Sequence, residues 1–386
     1  MLDMSQAKSV KVLWFLVAIV WLGVFPLDVI LPSFPAIGKT LAVSISKIAM
    51  SLSLFSVCVA ISQLIIGPVS DVVGRKKLLV GGLAISVIGA VGSALSNNLV
   101  GFIIFRTIQA LGCGCFVLAH ALVQDLFATQ DSARVRIFLT TMGGIFIATS
   151  PLLGSWLQDL FNWQSSFYLF CIIALYIIYQ VFALLPADPK SRKNINFFKV
   201  YKVVCSDTQF LSNAVISSLC FACHFSFIVV SPVLLIGKIG LSAYDFSLVL
   251  LVYGFAYIVG GFIANFLHFR ITSLRQIQCG LSLIGFSGVS LWLGVEALGS
   301  SVGSILLPMI FCTAGATITR PIAFSLAMAR FPSNAGAAAA VANTLLFFVG
   351  GVISGLIAIS GDDLVRNLSC GFILASVLAI ACSHCR

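Results

Sequence analysis

Runs of about 20 apolar residues recur along almost the whole 386-residue chain, and that repetition limits what it can fold into. Of its residues 60% are hydrophobic and only 9% charged, whereas a soluble protein carries about a quarter charged. Such a chain has too little polar surface to cover itself in water. Period-2 alternation is absent, which argues against an outer-membrane barrel. Twelve membrane helices are expected instead. They run over roughly 12–35, 46–70, 77–96, 99–126, 136–158, 164–186, 209–236, 243–267, 276–297, 302–329, 335–359 and 364–383. Most connections are short. The exception, "ADPKSRKNINFFKVYKVVCSDT" at 187–208, is expected to be a linker between an N-terminal six-helix half, 1–186, and a C-terminal six-helix half, 209–386.

The net charge of +10 would suggest nucleic acid in a soluble protein. Here the cations lie in short connections, where they set membrane orientation. Lys8, Lys11, Arg75, Lys76, Lys77, Arg134, Arg136, Lys190, Arg192, Lys193, Lys199, Lys202, Arg270, Arg275, Arg330 and Arg386 fall on one side. Only Lys39, Lys47, Lys238 and Arg366 fall on the other. This bias places both termini and the linker in the cytoplasm and leaves no basic surface for nucleic acid. The first run, from Val12 to Pro35, is too long for a signal peptide and contains Asp28, so it reads as a retained helix.

Most of the 12 cysteines fall inside apolar runs, where they act as small hydrophobes. Cys220-Phe-Ala-Cys223 has redox spacing without the βαβ context that chemistry uses. Cys382-Ser-His-Cys385 offers three metal ligands, one short of a structural zinc site. No metal site is expected. There is no zinc-helix motif, no G-x-S-x-G elbow and no P-loop, so a membrane enzyme is not expected either.

Residues 67–77, "GPVSDVVGRKK", concentrate positive charge between the second and third runs. Gly67, Asp71 and Arg75 stand at i, i+4 and i+8, which places them on one helix face before Gly74 ends it. The stretch resembles the loop 2–3 signature of the major facilitator superfamily, close to G-x-x-x-D-x-x-G-R-K. Gly67, Asp71, Gly74, Arg75 and Lys76 carry the match. Asp28-Val-Ile-Leu-Pro32-Ser-Phe-Pro35 looks like the D-x-x-x-P-x-x-P end of helix one in multidrug exporters. Arg106, Gln109 and Gly112 resemble the R-x-x-Q-x-x-G signature of helix four. Pro151 and Gly154 resemble the antiporter signature of helix five, with Ser150 and Ser155 as departures from it. The run "AGATITRPIAFSLAMARFPSNAGAAAAVAN" resembles the Bcr/CflA branch of drug/proton antiporters.

The resemblance implies an all-α integral membrane fold of two six-helix halves with a central cavity between them, working by alternating access. It implies a conformational latch at Gly67, Asp71, Gly74, Arg75 and Lys76. It implies proton coupling in place of a cofactor and a small-molecule substrate, in a monomer in the bacterial inner membrane. Gly261, Asn265 and Arg270 stand where a second, degenerate latch falls.

Charge inside a membrane helix is costly and usually has a role. Asp28, Arg106 and Arg320 meet that description. Asp28 and Arg106 lie at a similar depth, about 10 Å below the outer face, and are expected to pair, either as the proton-coupling site or as a fixed ion pair that only aids packing. Protonated Asp28 is neutral; deprotonated, it needs Arg106 or a cationic substrate. His224 is either a proton relay or a packed histidine. Tyr253 and Tyr257, four apart, are expected in the substrate cavity with Gln109, His224, Asn343 and Trp14 or Trp21. Arg320 has two readings. It is either held by Asn343 or a carbonyl of the eleventh run, or it makes the cavity positive. The second reading favours an anionic solute, a carboxylate siderophore being one instance. The function expected is proton-coupled export of a small amphipathic drug or metabolite. Import or facilitated passage of a small anion on the same fold is the alternative.

Overall fold

The computed structural model describes residues 4–127, 129–185, 197–331 and 335–384. Every regular element among them is helical. The twelve long helices are α1 (Met4–Asp28), α2 (Ile45–Val73), α3 (Arg75–Ala94), α4 (Leu99–Cys113), α5 (Thr129–Leu160) and α6 (Ser165–Leu184), then α7 (Thr208–Ser231), α8 (Ala243–His268), α9 (Ser273–Leu298), α10 (Val302–Ala329), α11 (Ala335–Ala358) and α12 (Leu364–His384). Eleven segments among the described residues are long and apolar enough to cross a membrane. Helix α5, of 32 residues, occupies the place of the remaining expected span.

Three spans differ from a plain apolar helix. Helix α1 stops at Asp28 and passes through a tight 3₁₀ turn, Leu31–Ser33, into a short helix, Phe34–Thr40. Pro32 and Pro35 lack the N–H groups that would carry the ladder through. Helix α4 tightens into a 3₁₀ turn at Gly114–Val117 before a further helix, Leu118–Leu126. Helix α7 widens at Pro232–Lys238 into π-type winding.

The chain divides into two compact units, one of Met1–Ile30 with Ile61–Ile195 and one of Leu31–Ala60 with Asn196–Arg386. Within the first, α3 and α4 approach backbone to backbone. A Cβ on Gly89 or Gly112 would collide with the facing main chain, so this approach requires glycine. It fixes the part of α4 that carries Arg106 and Gln109. Aromatic contacts add to the packing, with Trp21 of α1 stacked on Phe146 of α5 at 5.5 Å.

In the second unit, α9 and α10 meet through Gly280 and Gly315 in the same way. The Ser53 and Ser354 hydroxyls share a hydrogen bond of 2.8 Å, and Thr344 donates to the Ala60 carbonyl at 3.3 Å. The linker is not wholly irregular, since Phe197–Ser206 is a helix. Its Val204 is fully buried in a cluster with Phe210, Ala214, Ala327, Ala338 and Val341. Asp207 caps α7 by accepting from the Phe210 N–H at 2.7 Å, and it pairs with Arg330 at the end of α10, also at 2.7 Å. The Arg330 hydrogen bond, followed by that of the Phe210 amide, holds the Asp207 carboxyl below its usual range.

Candidate functional site

Arg106 sits on α4 and is 2% exposed. Its guanidinium donates to the Gln109 Oε1 at 2.8 Å and to the Pro26 carbonyl at 3.0 Å. The Phe167 ring lies 5.8 Å from it. Pro26 belongs to the last turn of α1, where carbonyls have no intrahelical donor. Arg106 therefore caps α1, and its charge opposes the negative end of that helix dipole. A void of about 10 Å³ beside these groups, lined in part by Phe25, Pro26, Arg106 and Gln109, has room for about one water molecule.

Asp28 is the last residue of α1, two residues beyond the carbonyl that Arg106 holds. It is 8% exposed. The expected ion pair is not formed: among the described residues Asp28 makes no salt bridge to Arg106. The physical reason is the early end of α1. It frees a backbone carbonyl within reach of the guanidinium, and α4 presents Gln109 three residues further along. Gln109, expected to line a cavity, is instead 1% exposed against Arg106.

The second unit holds a different cluster. His224 of α7 meets Tyr253 of α8, with Nδ1 and the phenol oxygen 2.5 Å apart and the rings stacked at 5.3 Å. Tyr257, one turn along α8, lies at 6.0 Å from the imidazole. Arg320 of α10 lies over the Phe221 ring at 5.6 Å and close enough to His224 for electrostatic interaction. Arg320, His224, Tyr257 and Phe221 are half-buried, and Tyr253 is buried. The structure thus brings His224, Tyr253, Tyr257 and Arg320 together. It does not join Asn343 to them by a hydrogen bond. Among the described residues Arg320 donates to no oxygen at all. Of the two tryptophans considered, Trp14 is 58% exposed and Trp21 is stacked on Phe146.

The loop 2–3 residues need one correction. Helix α2 ends at Val73, Gly74 takes φ 106°, and Arg75 begins α3. Gly67 and Asp71 therefore share a helix that Arg75 does not, because a positive φ breaks the helical register. Arg75 donates to the Ala121 carbonyl in the helix after α4, and Lys76 to the Leu185 carbonyl at 2.8 Å. Both cations thus close carbonyls of neighbouring segments. The Asp71 side chain lies outside the described residues, as do those of Arg134 and Arg136, the linker before Phe197, and Cys385. In α5, Pro151 leaves the Ile147 carbonyl without its helical donor. Next to it the hydroxyl of buried Ser150 has no hydrogen-bond partner among the described residues. Ser155 turns back to the Leu152 carbonyl at 2.9 Å. Gly154 is buried. Of the degenerate second latch, Arg270 lies over the Phe266 ring at 5.0 Å. Sequence reading missed the linker helix, although Phe197, Val200, Tyr201 and Val204 follow the i, i+3, i+4, i+7 pattern.

A multi-pass helical membrane protein with ionisable residues held inside its spans has the marks of a protein that handles ions or solutes within the membrane. The Major Facilitator Superfamily profile matches residues 13–355, and the chain belongs to that family. It is 26% identical over 370 residues to a bicyclomycin resistance protein homolog of Haemophilus influenzae, covering 92% of this chain and 91% of the relative. It is 23% identical over 385 residues to multidrug resistance protein D of Escherichia coli, covering 98% and 96%. A chloramphenicol resistance protein of Pseudomonas aeruginosa is 28% identical over 341 residues, covering 86% and 78%. These are relatives of the kind that the Bcr/CflA resemblance pointed to. Among solved structures, a D-xylose-proton symporter superposes with a TM-score of 0.74 at 16% identity, over 96% of this chain and 97% of that one, and shares the fold.

Proposed function

We propose that this protein is a proton-coupled exporter of a small amphipathic solute, working by alternating access as a monomer in a bacterial inner membrane with both termini cytoplasmic. The two six-helix halves, 1–186 and 209–386, are the moving bodies. The relatives named for resistance to bicyclomycin, chloramphenicol and multiple drugs support export. The single observation that carries the coupling is Asp28. It is a carboxyl 8% exposed inside a span, and it makes no salt bridge among the described residues.

A buried carboxylate without a counter-charge is costly, and protonation removes the cost. Asp28 stands at the end of α1 beside the carbonyl held by Arg106. A change of charge there alters how α1 and α4 are tied together. Coupling follows when the proton and the solute each favour a different state of that tie. In this reading Arg106 positions α1 and Asp28 carries the proton. Gly67, Asp71, Gly74, Arg75 and Lys76 form a cytoplasmic latch in which Arg75 and Lys76 bind the carbonyl ends of neighbouring segments.

Proteoliposomes with an imposed pH gradient test both parts. Asp28→Asn is expected to abolish gradient-driven transport while solute exchange at equal pH persists. Full gradient-driven activity in this variant removes Asp28 from the role. Asp71→Asn is expected to raise labelling of engineered cysteines from the cytoplasmic side. Lost transport with unchanged labelling refutes the latch.

A further inference from the structure

We propose that Arg320, His224 and the surrounding rings form a subsite for the carboxylate of an aromatic organic anion. The inference rests on the transport reading above and narrows the class of solute.

A guanidinium stays charged wherever it is placed, and inside an apolar helix it demands an acceptor. Arg106 has two. Arg320, among the described residues, has none, and its guanidinium lies over the Phe221 ring at 5.6 Å. The described acidic residues of the same unit stand elsewhere. Asp207 is taken by Arg330, Asp245 accepts from Ser242, and Glu296 and Asp363 are exposed at span ends. The fold thus supplies a fixed cation and withholds its anion.

The shape of that cation selects the anion. The guanidinium presents paired N–H donors in a plane, which fit the two oxygens of a carboxylate. His224 offers a further donor. Nδ1 is engaged with the Tyr253 hydroxyl at 2.5 Å, and in this proposal the hydroxyl donates there, so that the imidazole carries its proton on Nε2 and presents it to the solute. The walls are aromatic. Phe221, under the guanidinium, is stacked on Phe225 at 5.3 Å and meets Phe347 edge-on at 5.4 Å. Tyr257 lies tilted at 6.0 Å from the imidazole. Rings of this kind accept another ring by offset or edge contact. The α10 backbone that carries Arg320 is held against α9 at Gly280 and Gly315. A carboxylate joined to an aromatic ring satisfies the cation and the walls together.

Purified full-length protein in nanodiscs tests this with radiolabelled salicylate as the probe and 2-hydroxybenzyl alcohol, its uncharged counterpart, as competitor. Salicylate is expected to bind, and the alcohol to compete at least about 10-fold more weakly. Arg320→Gln is expected to lower salicylate affinity about 10- to 100-fold, the range for losing hydrogen bonds to a charged group. Arg320→Lys, which keeps the charge and loses the fork, is expected to fall between, and Phe221→Leu to weaken binding several-fold. Equal affinity for acid and alcohol, or wild-type salicylate binding in folded Arg320→Gln, overturns the proposal. Arg320-dependent salicylate binding without pH-driven movement in proteoliposomes would sink the transport reading and leave the subsite standing. Drug export indifferent to Arg320, with no salicylate binding, would do the reverse.

Discussion

Two arginines occupy apolar helices, one in each unit, and their surroundings differ. Arg106 is 2% exposed and has both a backbone carbonyl and a side-chain oxygen at hydrogen-bonding distance. Arg320 is half-buried, rests on a phenylalanine ring and donates to no oxygen among the described residues. The same side chain, at the same cost of insertion, is therefore used in two ways. Arg106 ties α4 to the end of α1, and its acceptors are internal. Arg320 is held by packing, and its acceptor is left to come from outside. A buried arginine in a transporter is thus not a functional residue of one kind. What faces its N–H groups decides whether it builds the structure or meets a solute.

The sharpest way to break this contrast is to remove each guanidinium and measure thermal stability in detergent. Arg106→Leu leaves the Pro26 carbonyl and the Gln109 side chain buried without a donor. It is expected to cost about 3–6 kcal/mol, since it removes two hydrogen bonds from a charged donor, each contributing about 1.5–3 kcal/mol. Arg320→Gln gives up a single cation–ring contact of about 0.5–2 kcal/mol. Its midpoint should therefore move by a few degrees or less. Equal losses at the two positions would show that Arg320 has structural acceptors after all.

A smaller effect sharpens the second half of the contrast. Tyr253→Phe removes the hydroxyl that holds His224 Nδ1 and leaves the ring stack in place. Salicylate affinity is expected to fall about 2- to 10-fold, in line with one neutral hydrogen bond of about 0.5–1.5 kcal/mol. Stability in detergent should change less than in Arg106→Leu. Unchanged affinity would confine the subsite to Arg320 and Phe221.

The smallest effect concerns a cation outside the spans, Arg330, whose partner Asp207 is an ordinary surface acid. The Asp207 carboxyl is held below its usual value of 3.8, first by the Arg330 hydrogen bond. Its contribution to stability is therefore present above pH 3.8 and is lost as pH falls through the lower folded value. Asp207→Asn should lower the thermal midpoint slightly at neutral pH and flatten the shallow acid-side slope, so that variant and wild type converge at acid pH. A variant with the same slope as the wild type would assign the acid sensitivity to another group.

The positions of the charges were legible in the sequence, because charged residues stand out against apolar runs. Their partners were not. Arg106 finds the Pro26 carbonyl 80 residues away, and only because α1 ends early enough to free it. Asp28 and Arg106 were placed at one depth by counting helical rise, which fixes height along the membrane but not which group faces which. The Phe197–Ser206 helix was visible in its own periodicity, yet the polar residues around it favoured reading the whole stretch as linker. Its burial depends on the alanines of α10 and α11, more than 100 residues on.

By itself the sequence determined that the chain is a multi-pass helical membrane protein with both halves built from apolar spans. It also determined the loop 2–3 motif and the three charges set within spans. These follow from composition and local periodicity, which the membrane reads one segment at a time. The tertiary structure decided that Gly74 separates Arg75 from the helix carrying Gly67 and Asp71. It also decided that Arg106 caps α1 where an ion pair with Asp28 was expected, and that His224, Tyr253, Tyr257 and Arg320 converge. Those outcomes depend on which distant carbonyls, rings and glycines come within a few ångströms. Only packing sets such distances, because hydrogen bonds and ring contacts weaken steeply with separation while sequence spacing constrains neighbours on one helix alone.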